Sequence, residues 1–160
     1  MSDPAAGFAE TAEGRVHRLP LRIYYEDTDA GGIVYHANYL RYAERARTEM
    51  LRDLGYDQVA LLRDPGIGFA VRACTVDFVA PARLDDRLEV ATRLLSVGGA
   101  TLEAEQRVER GGQLLVRILV RLACIGAGVR PARLPAALRQ ALQGLIHPTS
   151  AIFIMTLLAS

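Results

Sequence analysis

Tyr24-Tyr25-Glu26-Asp27-Thr28-Asp29-Ala30-Gly31-Gly32-Ile33-Val34-Tyr35-His36-Ala37-Asn38-Tyr39 is the stretch on which the reading of this chain turns. Upstream of it, Leu19, Leu21, Ile23 and Tyr25 alternate with Arg18, Pro20, Arg22 and Tyr24, the period of a half-buried strand. Asp27 and Asp29 follow two apart, so an extended chain points both the same way. The pair Gly31-Gly32 breaks the strand. Beyond it Tyr39, Ala43, Ala46, Met50 and Leu54 recur at helical spacing, with Arg41, Glu44, Arg45, Thr48 and Arg52 on the other face and Gly55 as the stop. The spacing predicts a strand over 18–29 and a helix over 37–54.

A helix start leaves about four backbone N–H groups unpaired and carries partial positive charge. Such donors hold an anion or a developing oxyanion. Asp29 lies across the glycine turn from them, so a carbonyl between the two meets a nucleophile or general base on one side and donors on the other. That is the arrangement acyl-group hydrolysis requires. Asp29 also fits a simple turn cap, Asp27 a hydrogen-bond anchor, and His36 a packed histidine. Tyr24, Tyr25, Tyr35 and Tyr39 read as core or pocket-wall aromatics, and a metal held by Asp27, Asp29 and His36 is the weakest reading.

The chain has 160 residues, room for one domain, with 51% hydrophobic residues and a net charge of +1. That balance gives no pull toward nucleic acid or an anionic membrane. All 19 basic residues are arginine. Schiff-base lysine chemistry and a phosphate-loop lysine are thereby excluded, while forked arginine contacts to phosphate remain available. Cys74 and Cys124 have no metal-type spacing and read as reduced core residues. The N-terminus lacks an apolar signal core, which points to the cytoplasm.

Residues 1–17 are Ala-, Glu- and Gly-rich and read as a mobile arm. After a connector over 55–68 that has room for a short helical turn, strand patterns run over 69–79, 87–97, 101–109 and 113–124. They are separated by Leu84-Asp85-Asp86, Gly98-Gly99 and the hairpin signal Gly111-Gly112. A short helix over 135–143 begins with Pro. One strand, one long helix and then four strands on tight turns give an α+β domain over 18–143, a five-stranded antiparallel sheet wrapped around the helix. In the tail, 144–160, Ala151 to Ala159 is an unbroken apolar or Thr run. It is shorter than the roughly 20 residues of a membrane span, so it packs on the domain, a partner or a membrane surface.

The quoted stretch, with Glu44-Arg45-Ala46-Arg47 and Phe78-Val79-Ala80-Pro81-Ala82-Arg83-Leu84-Asp85-Asp86, closely resembles the hotdog-fold acyl-CoA thioesterases. Within them it is most similar to the bacterial tol–pal-associated branch, related to 4-hydroxybenzoyl-CoA thioesterase. The resemblance implies a sheet wrapped around the helix and homodimers, often paired into homotetramers, with sites at the dimer interface. It implies an acyl-CoA substrate and no bound cofactor. Asp29 matches the catalytic aspartate and His36 the motif histidine, near whose N–H the oxyanion is held. Tyr25, Gly32, Val34 and Tyr35 fall among the substrate-binding positions. A dehydratase acting on 3-hydroxyacyl thioesters, and a non-catalytic adaptor for acyl carrier protein or an envelope partner, are the alternatives. Ile125-Gly126-Ala127-Gly128-Val129-Arg130-Pro131 departs from the family pattern, and the tail after Gly144 has no counterpart in it.

Overall fold

The computed structural model describes residues 4–146. Six strands form one antiparallel sheet: β1 (Gly7–Thr11), β2 (Gly14–Arg22), β3 (Gly68–Phe78), β4 (Arg87–Val97), β5 (Thr101–Arg110) and β6 (Gln113–Ile125), in the order β1-β2-β4-β5-β6-β3. Helix α1 (Asn38–Asp53) packs on one face of the sheet, with α2 (Gln58–Arg63) and α3 (Ala136–Gln143) beside its second half. The α+β class and the sheet around one long helix agree with the sequence.

Two expectations are corrected at the N-terminus. The sheet has six strands rather than five, because part of the expected arm over 1–17 forms β1 and pairs with β2, Phe8 opposite His17 and Thr11 opposite Gly14. The first predicted strand, 18–29, runs instead over Gly14–Arg22. Tyr25–Asp27 coils into a single 3-10 turn, so Asp27 and Asp29 do not share one extended face.

Helix α1 forms because its apolar residues share one face, and the ion pairs Glu44–Arg47 and Glu49–Arg52 link residues three apart along it, Arg47 on the buried side and Arg52 exposed. It ends in a Schellman motif. Gly55 takes φ +93°, its N–H reaches Arg52 O and the N–H of Tyr56 reaches Leu51 O. The β5–β6 hairpin turns on Gly111 and Gly112, both at positive φ (56° and 82°), as a two-residue turn between twisted strands needs.

The helix divides the core. Around its first half, Tyr39, Tyr42, Ala43 and Ala46 pack with Ile23, Val34, Val90, Val108, Leu115 and Ile118. Around its second half, Met50 and Leu51 pack with Leu94, Leu102, Leu122, Leu138 and Leu142. Fully burying one such side chain is worth about 1.5–3 kcal/mol. Between the halves the sheet carries a polar row of cross-strand neighbours, His17, Thr92 and Gln106. Gln106 donates to Ala43 O (2.9 Å) and Thr92 Oγ1 (3.0 Å) and accepts from Arg47 (2.7 Å).

Leu145, placed in the tail by the sequence, is buried, and its carbonyl accepts the Arg15 N–H. The run Ala151 to Ala159 lies outside the described residues. No helix among the described residues is long and apolar enough to cross a membrane. Cys124 is buried, and burial pushes its thiol up. Cys74, expected in the core, is exposed because β3 is the last strand of the sheet.

Candidate active site

Asp29, Gly32, Tyr35 and His36 lie on the loop between β2 and α1. The loop is closed on itself by its backbone. The Asp29 N–H donates to Ile33 O (2.9 Å), Gly32 N–H to Asp29 O (3.0 Å) and Tyr35 N–H to Asp27 O (2.9 Å), and Thr28 bridges Val34. Gly32 sits at φ +77°, where a side chain would be strained. At Gly31 a β-carbon would lie 3.1 Å from Asp29 Oδ1, so the first glycine leaves room for the carboxylate and the second permits the turn.

The two carboxylates have different surroundings. Asp27 Oδ2 accepts the Tyr24 N–H (2.7 Å), closing the 3-10 turn. The buried Tyr42 hydroxyl faces the same carboxylate, at a geometry that falls short of a hydrogen bond. Burial first, and then the Asp27 carboxylate, push the Tyr42 phenol well above its ordinary value. Asp27 is therefore the anchor that one sequence reading made it. Asp29 is exposed, and one of its oxygens, Oδ1, accepts the Gly31 N–H (2.8 Å). Its other oxygen has no protein donor among the described residues, so it is available to a carbonyl or a water. Asp27, Asp29 and His36 do not converge as a metal-ligand group among the described residues.

His36 is exposed, two residues before α1 and next to its N-cap Ala37. Its ring leans on Tyr35 (centroids 4.6 Å) and meets the ring of Phe78 edge-on (6.3 Å). No backbone carbonyl among the described residues accepts its N–H. No side chain caps the helix start either, since the N-cap is Ala37. Donors and partial positive charge thus stand open on the loop that carries Asp29.

The other expected site residues divide. Tyr25 is 82% exposed, its ring off the core, and Tyr35 is 46% exposed beside His36. Val34 is 2% exposed, and its N–H is taken by Ala82 O (2.9 Å), so it supports the loop from beneath. Sequence reasoning passed over Phe78, Ala82 and Asn38. Phe78 ends β3 beside His36. Ala82 links the loop to Tyr39, whose hydroxyl accepts the Ala82 N–H (3.1 Å) and whose phenol burial pushes up. Asn38 donates its side-chain amide to Asp27 O (2.9 Å). The signal for Asn38 was a buried-face position at the helix start filled by a polar residue.

The site opens beside the free edge of the sheet. Along and just beyond β3, Val71, Phe78 and Val79 are exposed (51%, 55% and 61%), and so is Leu40 on α1 (44%). A cleft of about 400 Å³, lined by Pro20, Arg22, Tyr24, Arg87 and the Gly111-Gly112 turn, lies elsewhere and touches neither Asp29 nor His36.

Comparison with known proteins bears on what such a loop does. The model of the thioesterase-like superfamily matches residues 24–142. Among curated relatives, the acyl-CoA thioesterase YbgC of Haemophilus influenzae is 44% identical over 124 residues, 77% of this chain and 91% of that protein. The acyl-CoA thioester hydrolase YbgC of Escherichia coli O157:H7 is 46% identical over 123 residues, 76% and 91% of the two chains. Among solved structures, a probable thioesterase from Bartonella henselae superposes with a TM-score of 0.73 at 38% identity, covering 75% of this chain and 99% of that one. The 1,4-dihydroxy-2-naphthoyl-CoA thioesterase of Synechocystis shares the fold, with a TM-score of 0.75 at 24% identity.

Proposed function

Since this chain belongs to the thioesterase-like superfamily of hotdog proteins, we propose that the loop between β2 and α1 hydrolyses the thioester of an acyl-CoA to a free acid and coenzyme A. The observation that carries the reading is the unequal state of the two carboxylates. Asp27 is committed to the turn, while Asp29 stands exposed with an oxygen to spare, on the loop that ends at an uncapped helix start.

The spare oxygen of Asp29 attacks the thioester carbon, or takes a proton from a water that does. The carbonyl oxygen becomes an oxyanion and accepts N–H donors near His36. One such donor is worth roughly 3–4 kcal/mol in the barrier. The carbon–sulfur bond then breaks and the sulfur takes a proton as coenzyme A thiol. In the direct attack a water then hydrolyses the mixed anhydride formed with Asp29, freeing the acid and the carboxylate, while in the water-mediated attack the acid forms in the same step. The His36 ring orients the thioester or assists that protonation. Tyr25 and Tyr35 frame the acyl group, and Gly32 lets the backbone come close to it.

The assembly that completes the site is a homodimer joined through β3, with homotetramers built from it. Support comes from the apolar edge of β3 beside His36, which has no partner strand among the described residues and so is open to another chain. The cytoplasm, where both thiols stay reduced, is the compartment this reading favours.

Release of free thiol from short, long and aromatic acyl-CoAs tests the proposal. Thiol release from at least one class is expected. Formation of a double bond from a 3-hydroxyacyl-CoA with the thioester left intact would make the chain a dehydratase instead.

A further inference from the structure

Asn38 is the first residue of α1 and lies on its buried side, 9% exposed. The N-cap is Ala37, so Asn38 stands one residue past the capping position, and its side-chain amide donates to Asp27 O (2.9 Å), eleven residues earlier. The same carbonyl accepts the Tyr35 N–H (2.9 Å). Asp27 O is therefore held twice, once by the chain leading into the helix and once by the helix itself.

That double hold has a geometric consequence. Asp27 lies two residues before Asp29, and the donors proposed for the oxyanion lie at the helix start. A side chain rooted in the helix and bonded to Asp27 sets how far apart the attacking oxygen and the oxyanion donors stand. We propose that Asn38 is a positioning residue: its amide ties the turn carrying Asp29 to the helix start and so fixes the separation between nucleophile and oxyanion donors. The proposal rests on the thioesterase reading given above.

The test compares steady-state thiol release by the wild-type protein, Asn38→Ala and Asn38→Asp, with the folded fraction followed by circular dichroism at each pH. In Asn38→Ala the tie is gone, and kcat falls roughly 10- to 100-fold, because misplacing reacting groups by about 1 Å costs that much. KM stays within about twofold, since substrate contacts are untouched. Asn38→Asp keeps the shape and, when ionised, presents an acceptor to the Asp27 carbonyl where a donor is needed. Protonation restores a donor, so the ratio of its kcat to that of the wild type rises as pH falls through the aspartic acid's titration. A merely structural role would lower the folded fraction and leave that ratio flat. The proposal is overturned if Asn38→Ala, folded, keeps kcat within about twofold of wild type, or if the Asn38→Asp ratio does not change with pH. A wild-type protein without thiol release on any acyl-CoA would instead overturn the reading beneath it.

Discussion

Two polar regions of this molecule share one helix and end in opposite states. Beneath the middle of α1, Gln106 and Thr92 are buried and bonded to each other, to Arg47 and to the helix backbone, while His17 Nε2 holds Asp53 Oδ2 at 2.7 Å. Ahead of α1, Asp29 and His36 are exposed, and each keeps hydrogen-bonding capacity unused by the described residues. Apart from His17 Nδ1, which has no hydrogen-bond partner among the described residues, the buried polar groups satisfy one another and hold the helix on the sheet. Polar groups left with a spare atom are the ones that can do chemistry. Position on the helix decides between the two, because a helix middle has no free backbone groups and a helix start has several.

The sharpest way to break the buried region is Gln106→Leu. It fills the space but removes the bonds to Ala43 O, Thr92 and Arg47, leaving a nearly buried guanidinium with Glu44 as its remaining partner. A loss of about 3 kcal/mol is expected, seen in thermal unfolding as a fall in Tm of roughly 6–12 °C. Thiol release per folded molecule should change little, and a large drop in kcat without a drop in Tm would erase the distinction between the regions.

Gly31→Ala sharpens the other side. The added β-carbon would sit 3.1 Å from Asp29 Oδ1, so the carboxylate must move by a few tenths of an ångström. A fall in kcat of about tenfold, equal to about 1.4 kcal/mol in the barrier, is expected with Tm within a few degrees. An unchanged kcat would mean that the position of Asp29 has slack.

The smallest effect belongs to the outer face of the sheet, where Glu105 is held between Arg93 and Arg117. Burial alone would raise its carboxyl, but the hydrogen bond from Arg117 and the charge of Arg93 outweigh that and hold it below the ordinary value. A lowered folded-state value stabilises above the unfolded carboxyl's pKa of about 4.3, and the contribution is lost as pH falls through the folded one. Glu105→Gln should therefore cost about 1 kcal/mol at neutral pH and progressively less below about pH 4, measured from denaturant midpoints. A cost that grew toward acid would contradict the direction of the shift.

The same contrast explains what could be read from the chain before its fold was seen. The reactive loop was legible because its glycines punctuate it and its charged residues interrupt apolar patterns on both sides. Strands β4, β5 and β6 were legible because alternation and Gly-Gly turns are local signals. Gln106 alternated in step with Leu102, Ala104 and Val108, which revealed its face but not its bonds, since Ala43 and Arg47 lie far away in sequence. The hairpin of β1 and β2 was missed for a related reason. Gly7–Thr11 is short and weakly patterned, and it becomes a strand by pairing with Gly14–Arg18, whose Val16 and His17 are buried in the core. The turn at Tyr25–Asp27 was read as strand because its apolar alternation continues past the point where Asp27 closes on Tyr24. For Val34, the motif marked the position, while its burial depends on Ala82.

The proposed chemistry places the reaction on one oxygen of Asp29, and exchange of that carboxylate for an amide tests it most directly. In Asp29→Asn, calorimetry should show acyl-CoA bound with a Kd within about twofold of wild type and Tm nearly unchanged, while free thiol release falls by about a thousandfold or more. Thiol release near the wild-type rate from that variant would contradict the account.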